Sequence, residues 1–238
     1  MKSKIICHMI SSLDGRLWIE RYSPLYGEDA PANYSTDLYL QKNIAQNADA
    51  WIVGKTSVQE LAFPGTLDFS KEAPTTNFET YVADRKTKKA VVVFDSKGSI
   101  DFTSNTIMED ELIVVLGETV SDKYLAYLRE RNISYLFAGA QGKDLNLALK
   151  ILSETFGLNI FTLVGGGTIN GAFLKAGLID ELLLQLYPGV DGLAGVPAIF
   201  EYHGKAEELP AKEQQLELLD IEKKEHGIVY LRYRFHKA

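Results

Sequence analysis

The stretch NIFTLVGGGTINGAFLKAGLIDELLLQLY (159–187) decides the fold class. Its first residues, 159–164, form a short apolar run suited to a strand. Gly165, Gly166 and Gly167 then interrupt that run. From Thr168 to Ala176 the apolar residues take helical spacing, and Gly177 supplies a stop. A second apolar run covers 181–187. Strand, helix and strand in one short span make a βαβ unit, whose two strands lie parallel.

The same alternation runs outward from this unit. Strands are expected over 4–10, 50–53, 90–94, 112–116 and 133–138. The runs over 90–94 and 112–116 are continuously apolar, the pattern of strands covered on both faces. Helices are expected over 35–47, 121–131 and 144–156. Ser121 and Asp144 are candidate caps, and Gly157 is a stop. Leu38, Ile44 and Ala45 are candidate core residues of the first helix. The end of the chain departs from the pattern, because 216–224 and 228–235 flank His226-Gly227 as a hairpin would. The polar stretch 63–84 reads as a long loop. The prediction is a three-layer α/β fold in a single domain over 1–238, with a mostly parallel central sheet and an antiparallel C-terminal hairpin.

Composition bounds the partners. The chain has 238 residues, 46% hydrophobic and 24% charged, enough to bury a sizeable core. A formal net charge of -7 argues against nucleic acid as a partner, since phosphate backbones need a basic face. The single cysteine, Cys7, excludes an intrachain disulfide and suits a reducing, cytoplasmic compartment. No run approaches the roughly 18 apolar residues of a membrane span, and the N-terminal apolar run is too short for a signal peptide. His8, His203, His226 and His236 have no ligand spacing, so no metal site is expected.

Two familiar phosphate motifs fail. Gly54-Lys55-Thr56 resembles the end of a P-loop, but Asp49 stands where that loop needs its first glycine. Gly165-Gly166-Gly167 invites a Rossmann reading, but Asn170 stands where the last glycine belongs. What survives is three segments: Ser11 to Arg16 after the first strand, Val53 to Thr56, and Val164 to Asn170. In the last two a strand turns into a helix through glycine, so backbone can approach a phosphate and the first-turn amides can point at it. Thr56 and Thr168 are candidate helix caps, and Lys55 adds a cation. Each turn taken alone has an ordinary structural reading as well.

The order S-L-D-G (12–15), D-A-W-I-V-G-K-T (49–56), V-V-V-F-D-S-K-G (91–98) and G-G-G-T-I-N-G-A-F-L-K-A-G-L-I-D-E-L-L-L-Q-L-Y-P (165–188) resembles the reductase family of riboflavin biosynthesis. The resemblance covers nearly the whole chain and implies a dihydrofolate-reductase-like fold. It implies NADPH as cofactor and a phosphorylated ribosylaminopyrimidine as small-molecule substrate. It places Gly54, Lys55 and Thr56 at the adenosine-side phosphates, and Gly165, Gly166, Gly167, Thr168 and Ile169 at the pyrophosphate. Ser12, Asp14, Gly15 and Arg16 fall beside the nicotinamide and substrate. Asp14 is the nearest candidate to organise the proton transfer, with water as the alternative source. Arg16 and Arg21 are candidates for the substrate phosphate. The family is typically homodimeric. Two departures are visible: Gly165 stands in place of a glutamate, and 57–64 lack an Asp-Asp-Pro segment. A pteridine reductase of the same fold remains an alternative, with Asp37 as its carboxylate, as does a protein that binds NADPH without reducing anything.

Overall fold

The computed structural model of the chain describes residues 3–27 and 31–237. In chain order its elements are β1 (Lys4–Ser11), α1 (Tyr34–Ala45), β2 (Ala50–Gly54), α2 (Lys55–Leu61), β3 (Ala90–Phe94), β4 (Thr106–Ile107), β5 (Asp110–Leu116), α3 (Asp122–Glu130), β6 (Ser134–Phe137), α4 (Leu145–Phe156), β7 (Ile160–Leu163), α5 (Gly167–Lys175), β8 (Glu181–Leu186), β9 (Gln214–Lys223) and β10 (Val229–Lys237). They fall into two compact units, Asp49–Phe161 and residues 4–48 with 162–237, and the division passes through β7. No helix among the described residues is long and apolar enough to cross a membrane.

In the unit Asp49–Phe161, β2, β3, β5 and β6 pair in parallel in that order, and β4 adds a short antiparallel strand to β5. Every residue of β3 is buried, as the continuous apolar run predicts. Both expected caps form: Ser121 Oγ accepts from Tyr124 N at 3.3 Å, and Asp144 Oδ1 from Leu147 N at 2.9 Å. Gly157 ends α4 in the left-handed conformation, φ 72°. The stretch 63–84 forms no helix or extended strand. It is pinned by Thr75 N to Val120 O (2.7 Å) and by reciprocal Tyr81–Tyr135 backbone bonds of 3.0 Å.

In the other unit β1 and β8 are parallel, and β8, β10 and β9 continue antiparallel. The C-terminal hairpin turns at His226 and Gly227, both with positive φ. The mostly parallel strands and the antiparallel C-terminal pair are those the sequence predicts.

One stripe of α5 explains two of its glycines. Positions 167, 171 and 175 are four apart and therefore share a helix face. Chain 198–208 runs along that face. Glu201 N donates to Gly167 O at 2.9 Å, and a Cβ on Gly167 would lie 2.2 Å from Ala198 O. A Cβ on Gly171 would lie 2.4 Å from Glu201 O. Further along, Lys175 Nζ stands 5.6 Å from the Tyr202 ring centroid and 3.4 Å from Glu208 Oε2. Asn170 Nδ2 completes the strap with a 2.8 Å bond to Ile199 O.

Helix α1 corrects an expectation. Ile44 is 70% exposed, Ala45 is exposed, and Leu38 is only half-buried. The stripe turned to the sheet is polar instead: Ser35, Tyr39, Lys42 and Asn43. Gln185 Nε2 donates to Ser35 O and Ser35 Oγ, both at 2.8 Å, and Tyr230 OH donates to Gln185 Oε1. Tyr39 stacks on His8 at 4.1 Å between centroids and donates to His8 O at 2.9 Å. Asn43 Oδ1 lies 3.3 Å from His8 Nδ1, and Lys42 pairs with Glu222. An apolar-period reading misses such a helix because its partner surface is polar.

Burial pushes the His8 imidazole down to about 4. An unfolded histidine titrates near 6.5, so between the two values only the unfolded chain takes the proton. The stability this contributes is complete above about pH 6.5 and is lost as pH falls toward 4, at about 1.4 kcal/mol per pH unit. Urea unfolding at pH 7 and pH 5 is expected to show a loss of about 2 kcal/mol in the wild type and clearly less in His8→Gln. A wild-type stability that is flat over that interval refutes the buried neutral histidine.

Candidate functional site

In the unit Asp49–Phe161, Gly54 closes β2 in an extended conformation and occupies the cap position of α2. Thr56 is the second residue of that helix and caps nothing, which corrects its expected role. Lys55 Nζ bonds Ser99 Oγ at 2.5 Å. Ser99 in turn belongs to a turn built around the buried Asp95. The Asp95 carboxylate accepts from Ser99 N (2.7 Å), Ile100 N (2.8 Å), Tyr124 OH (3.1 Å) and Ser99 Oγ (3.2 Å). The D-S-K-G segment thus holds a hydroxyl under the Lys55 ammonium.

In the other unit, Gly165 has φ 99°, a conformation that favours glycine, and the Gly165–Gly166 peptide is cis. A Cβ at 165 would lie 3.0 Å from Met9 Cε, so Met9 fills the volume a longer side chain there would need. Gly166 is the cap residue of α5, and Thr168, expected to cap, is an exposed second residue. The first helical bond is Asn170 N to Gly166 O at 3.2 Å. The amides of Gly167, Thr168 and Ile169 therefore precede any intrahelical partner, at the positive end of the helix. Asn170 is fully buried, and its Oδ1 has no hydrogen-bond partner.

The loop after β1 is tightly organised. Ser12 Oγ donates to Asp14 Oδ1 at 2.6 Å and accepts from Arg16 N at 2.9 Å. Gly15 takes φ 77° at the turn. Asp14 also accepts from Gly192 N (2.9 Å) and Asp191 N (3.1 Å). The Ser12 hydroxyl, and then these amides, hold the Asp14 carboxyl well below the usual carboxylate range. Asp14 thus anchors two loops to each other, and these donors favour its ionised form.

The two arginines expected at a substrate phosphate each make contacts with residues 191–196. Arg16 donates from Nη1 to Val196 O at 2.8 Å. Arg21 forms a two-pronged pair with Asp191, 2.8 and 3.1 Å. Asp37 is exposed, on the side of α1 opposite the Ser35–Asn43 stripe, so the carboxylate that the pteridine reading needs is turned away from the sheet. Among the described residues no group of three or more His, Cys, Asp or Glu could hold a metal ion.

Two features escaped the sequence reading. His203, on the strap, brings Nε2 to 3.4 Å from Thr168 Oγ1. The strap itself left one trace in the sequence, the four-residue spacing of Gly167 and Gly171, which permits close backbone approach.

Solved structures share this fold at low identity. A pyrimidine reductase-like protein from Corynebacterium diphtheriae is 15% identical with a TM-score of 0.68, over 99% of this chain and 93% of that one. The riboflavin biosynthesis reductase Rib7 of Saccharomyces cerevisiae is 15% identical with a TM-score of 0.58, over 99% of this chain and 90% of its own. RibD of Acinetobacter baumannii is 19% identical with a TM-score of 0.62, over 99% of this chain, which spans 59% of that protein. The fold is therefore the dihydrofolate-reductase-like one expected. Residues 3–230 match the sequence model of the RibD C-terminal domain, and the chain belongs to that family.

Proposed function

We propose that the chain is an NADPH-dependent reductase of the riboflavin pathway, all of it acting as one reductase domain on a phosphorylated ribosylaminopyrimidine. One observation carries the reading: the amides of Gly167, Thr168 and Ile169 stand without helical partners behind a glycine turn. That donor set fits a pyrophosphate. Gly165, Gly166, Gly167, Thr168 and Ile169 would hold it, and Gly54, Lys55 and Thr56 the adenosine-side phosphates. The similar folds of a pyrimidine reductase-like protein from Corynebacterium and a riboflavin biosynthesis reductase from Saccharomyces support the substrate class.

When bound, the nicotinamide supplies the hydride. The chain's own residues position. Ser12, Gly15 and Arg16 shape the loop beside the reacting carbons, which must come within about 3–3.5 Å of each other. Asp14 pins that loop to 191–192 and does not serve as an acid. The cyclic ribosylamine would first open, C1′–O4′ breaking as C1′=N forms and the N–H proton passing to O4′; hydride added at C1′ and a proton from water at the nitrogen would then give the ribityl amine.

A cytoplasmic homodimer completes the proposal. Leu216, Leu218 and Ile221, 45%, 46% and 59% exposed, pair with Phe235, Tyr233 and Leu231 and so share one sheet face. A second copy would cover that face. Sedimentation is expected to give a dimer that Leu218→Asp dissociates; a wild-type monomer removes this part of the proposal.

NADPH oxidation is expected with the deaminated ribosylaminouracil phosphate and not with dihydrofolate. Turnover of dihydrofolate alone overturns the substrate assignment. NADPH binding without turnover of either leaves a nucleotide-binding protein. Lys55 should favour NADPH over NADH through the 2′-phosphate, so Lys55→Ala is expected to weaken NADPH about ten-fold, near 1.4 kcal/mol, and leave NADH unchanged. Equal wild-type dissociation constants for the two cofactors refute this role.

A further inference from the structure

The strap along α5 does more than fill space. It is fixed at Gly167 by a backbone bond, at Gly171 by close approach, and at Lys175 by Tyr202 and Glu208. None of these contacts uses the His203 side chain. His203 is exposed, and its ring reaches back to the first turn of the helix, with Nε2 3.4 Å from Thr168 Oγ1. A rigid backbone therefore carries an imidazole to the residue whose own amide has no helical partner.

We infer that His203 is a further cofactor-binding residue, donating from its ring to the dinucleotide phosphate that meets the amides of Gly167, Thr168 and Ile169. The inference rests on the proposed cofactor site at α5. The geometry matches the need. Three backbone donors would meet a phosphate from the helix side, and its outward oxygens would need other partners. A ring N–H fixed beside Thr168 is placed to take one of them, and hydrogen bonds to charged groups are the stronger kind. Because the strap is held by its backbone and by Tyr202 and Glu208, losing the ring should cost binding and not folding.

NADPH binding to the full-length protein, followed by quenching of intrinsic fluorescence, tests this with three variants. His203→Ala is expected to raise the dissociation constant about ten-fold and the KM for NADPH with it, while kcat and the melting temperature stay at wild-type values. His203→Gln keeps an N–H donor and should recover most of the affinity. Thr168→Asp places a negative charge against the phosphate and should weaken NADPH ten-fold or more, an order-of-magnitude expectation. If Thr168→Asp weakens binding and His203→Ala does not, the inference about His203 is wrong and the cofactor site stands. Wild-type affinity in Thr168→Asp removes the cofactor site and the inference together. A fall in melting temperature that matches the lost affinity in His203→Ala would make the residue structural and also overturn the inference.

Discussion

At Gly167 a helix and a neighbouring carbonyl contend for the same volume, and the rest of the candidate site depends on the outcome. Ala198 O stands 2.2 Å from where a Cβ would be, so only glycine lets the two backbones meet. Gly171 repeats the constraint one turn later, at the cost of roughly 1 kcal/mol of helix propensity relative to alanine. In return the strap lies flat on α5, bonds to Gly167 O, and fixes both the mouth of the helix and the residues around it. Gly167 thus has a packing reason for its identity beside any ligand reason. Both concern the first turn of α5, whose leading amides have no intrahelical partner.

In the 4–48 and 162–237 unit, three charged side chains hold loops. Asp14 gathers a hydroxyl and two amides, Arg16 reaches a carbonyl, and Arg21 clasps Asp191. Such loops are preorganised, and preorganisation serves a reaction that depends on the distance between two carbons. The same contacts take up Nη1 of Arg16 and Nε and Nη2 of Arg21. The polar seam beneath α1 follows a similar rule. His8, Gln185 and Glu222 stand on the sheet, and the helix meets them with Ser35, Tyr39, Asn43 and Lys42, so polar groups meet polar groups across the contact.

The departure at Gly165 has a physical correlate. Here φ is 99° and Met9 occupies the adjoining volume, so a longer residue would need both a different backbone and a displaced thioether. The glycine turn is kept while this corner is built against an apolar side chain.

The strands other than β4, the caps at Ser121 and Asp144, the stop at Gly157 and the C-terminal hairpin were legible in the sequence, because each depends on neighbours a few residues away. So were the two glycine turns, since a strand passing into a helix through glycine is a local pattern. What the sequence could not show was direction and company. Which stripe of α1 faces inward depends on the polar row that β1, β8 and β9 present, and those strands are far apart along the chain. That Gly54 and Gly166, and not the threonines, take the cap positions depends on where each helix makes its first bond. Arg16, Arg21 and Asp14 read as free functional groups until residues 191–196 come to meet them. His203 had no neighbour of note in the sequence. Only the close packing that Gly167 and Gly171 permit brings it to Thr168, a contact between residues 35 positions apart. Short-range backbone preferences were written in the sequence by itself, whereas the tertiary structure alone decided which polar groups stay available, because that depends on long-range contacts that no local pattern encodes.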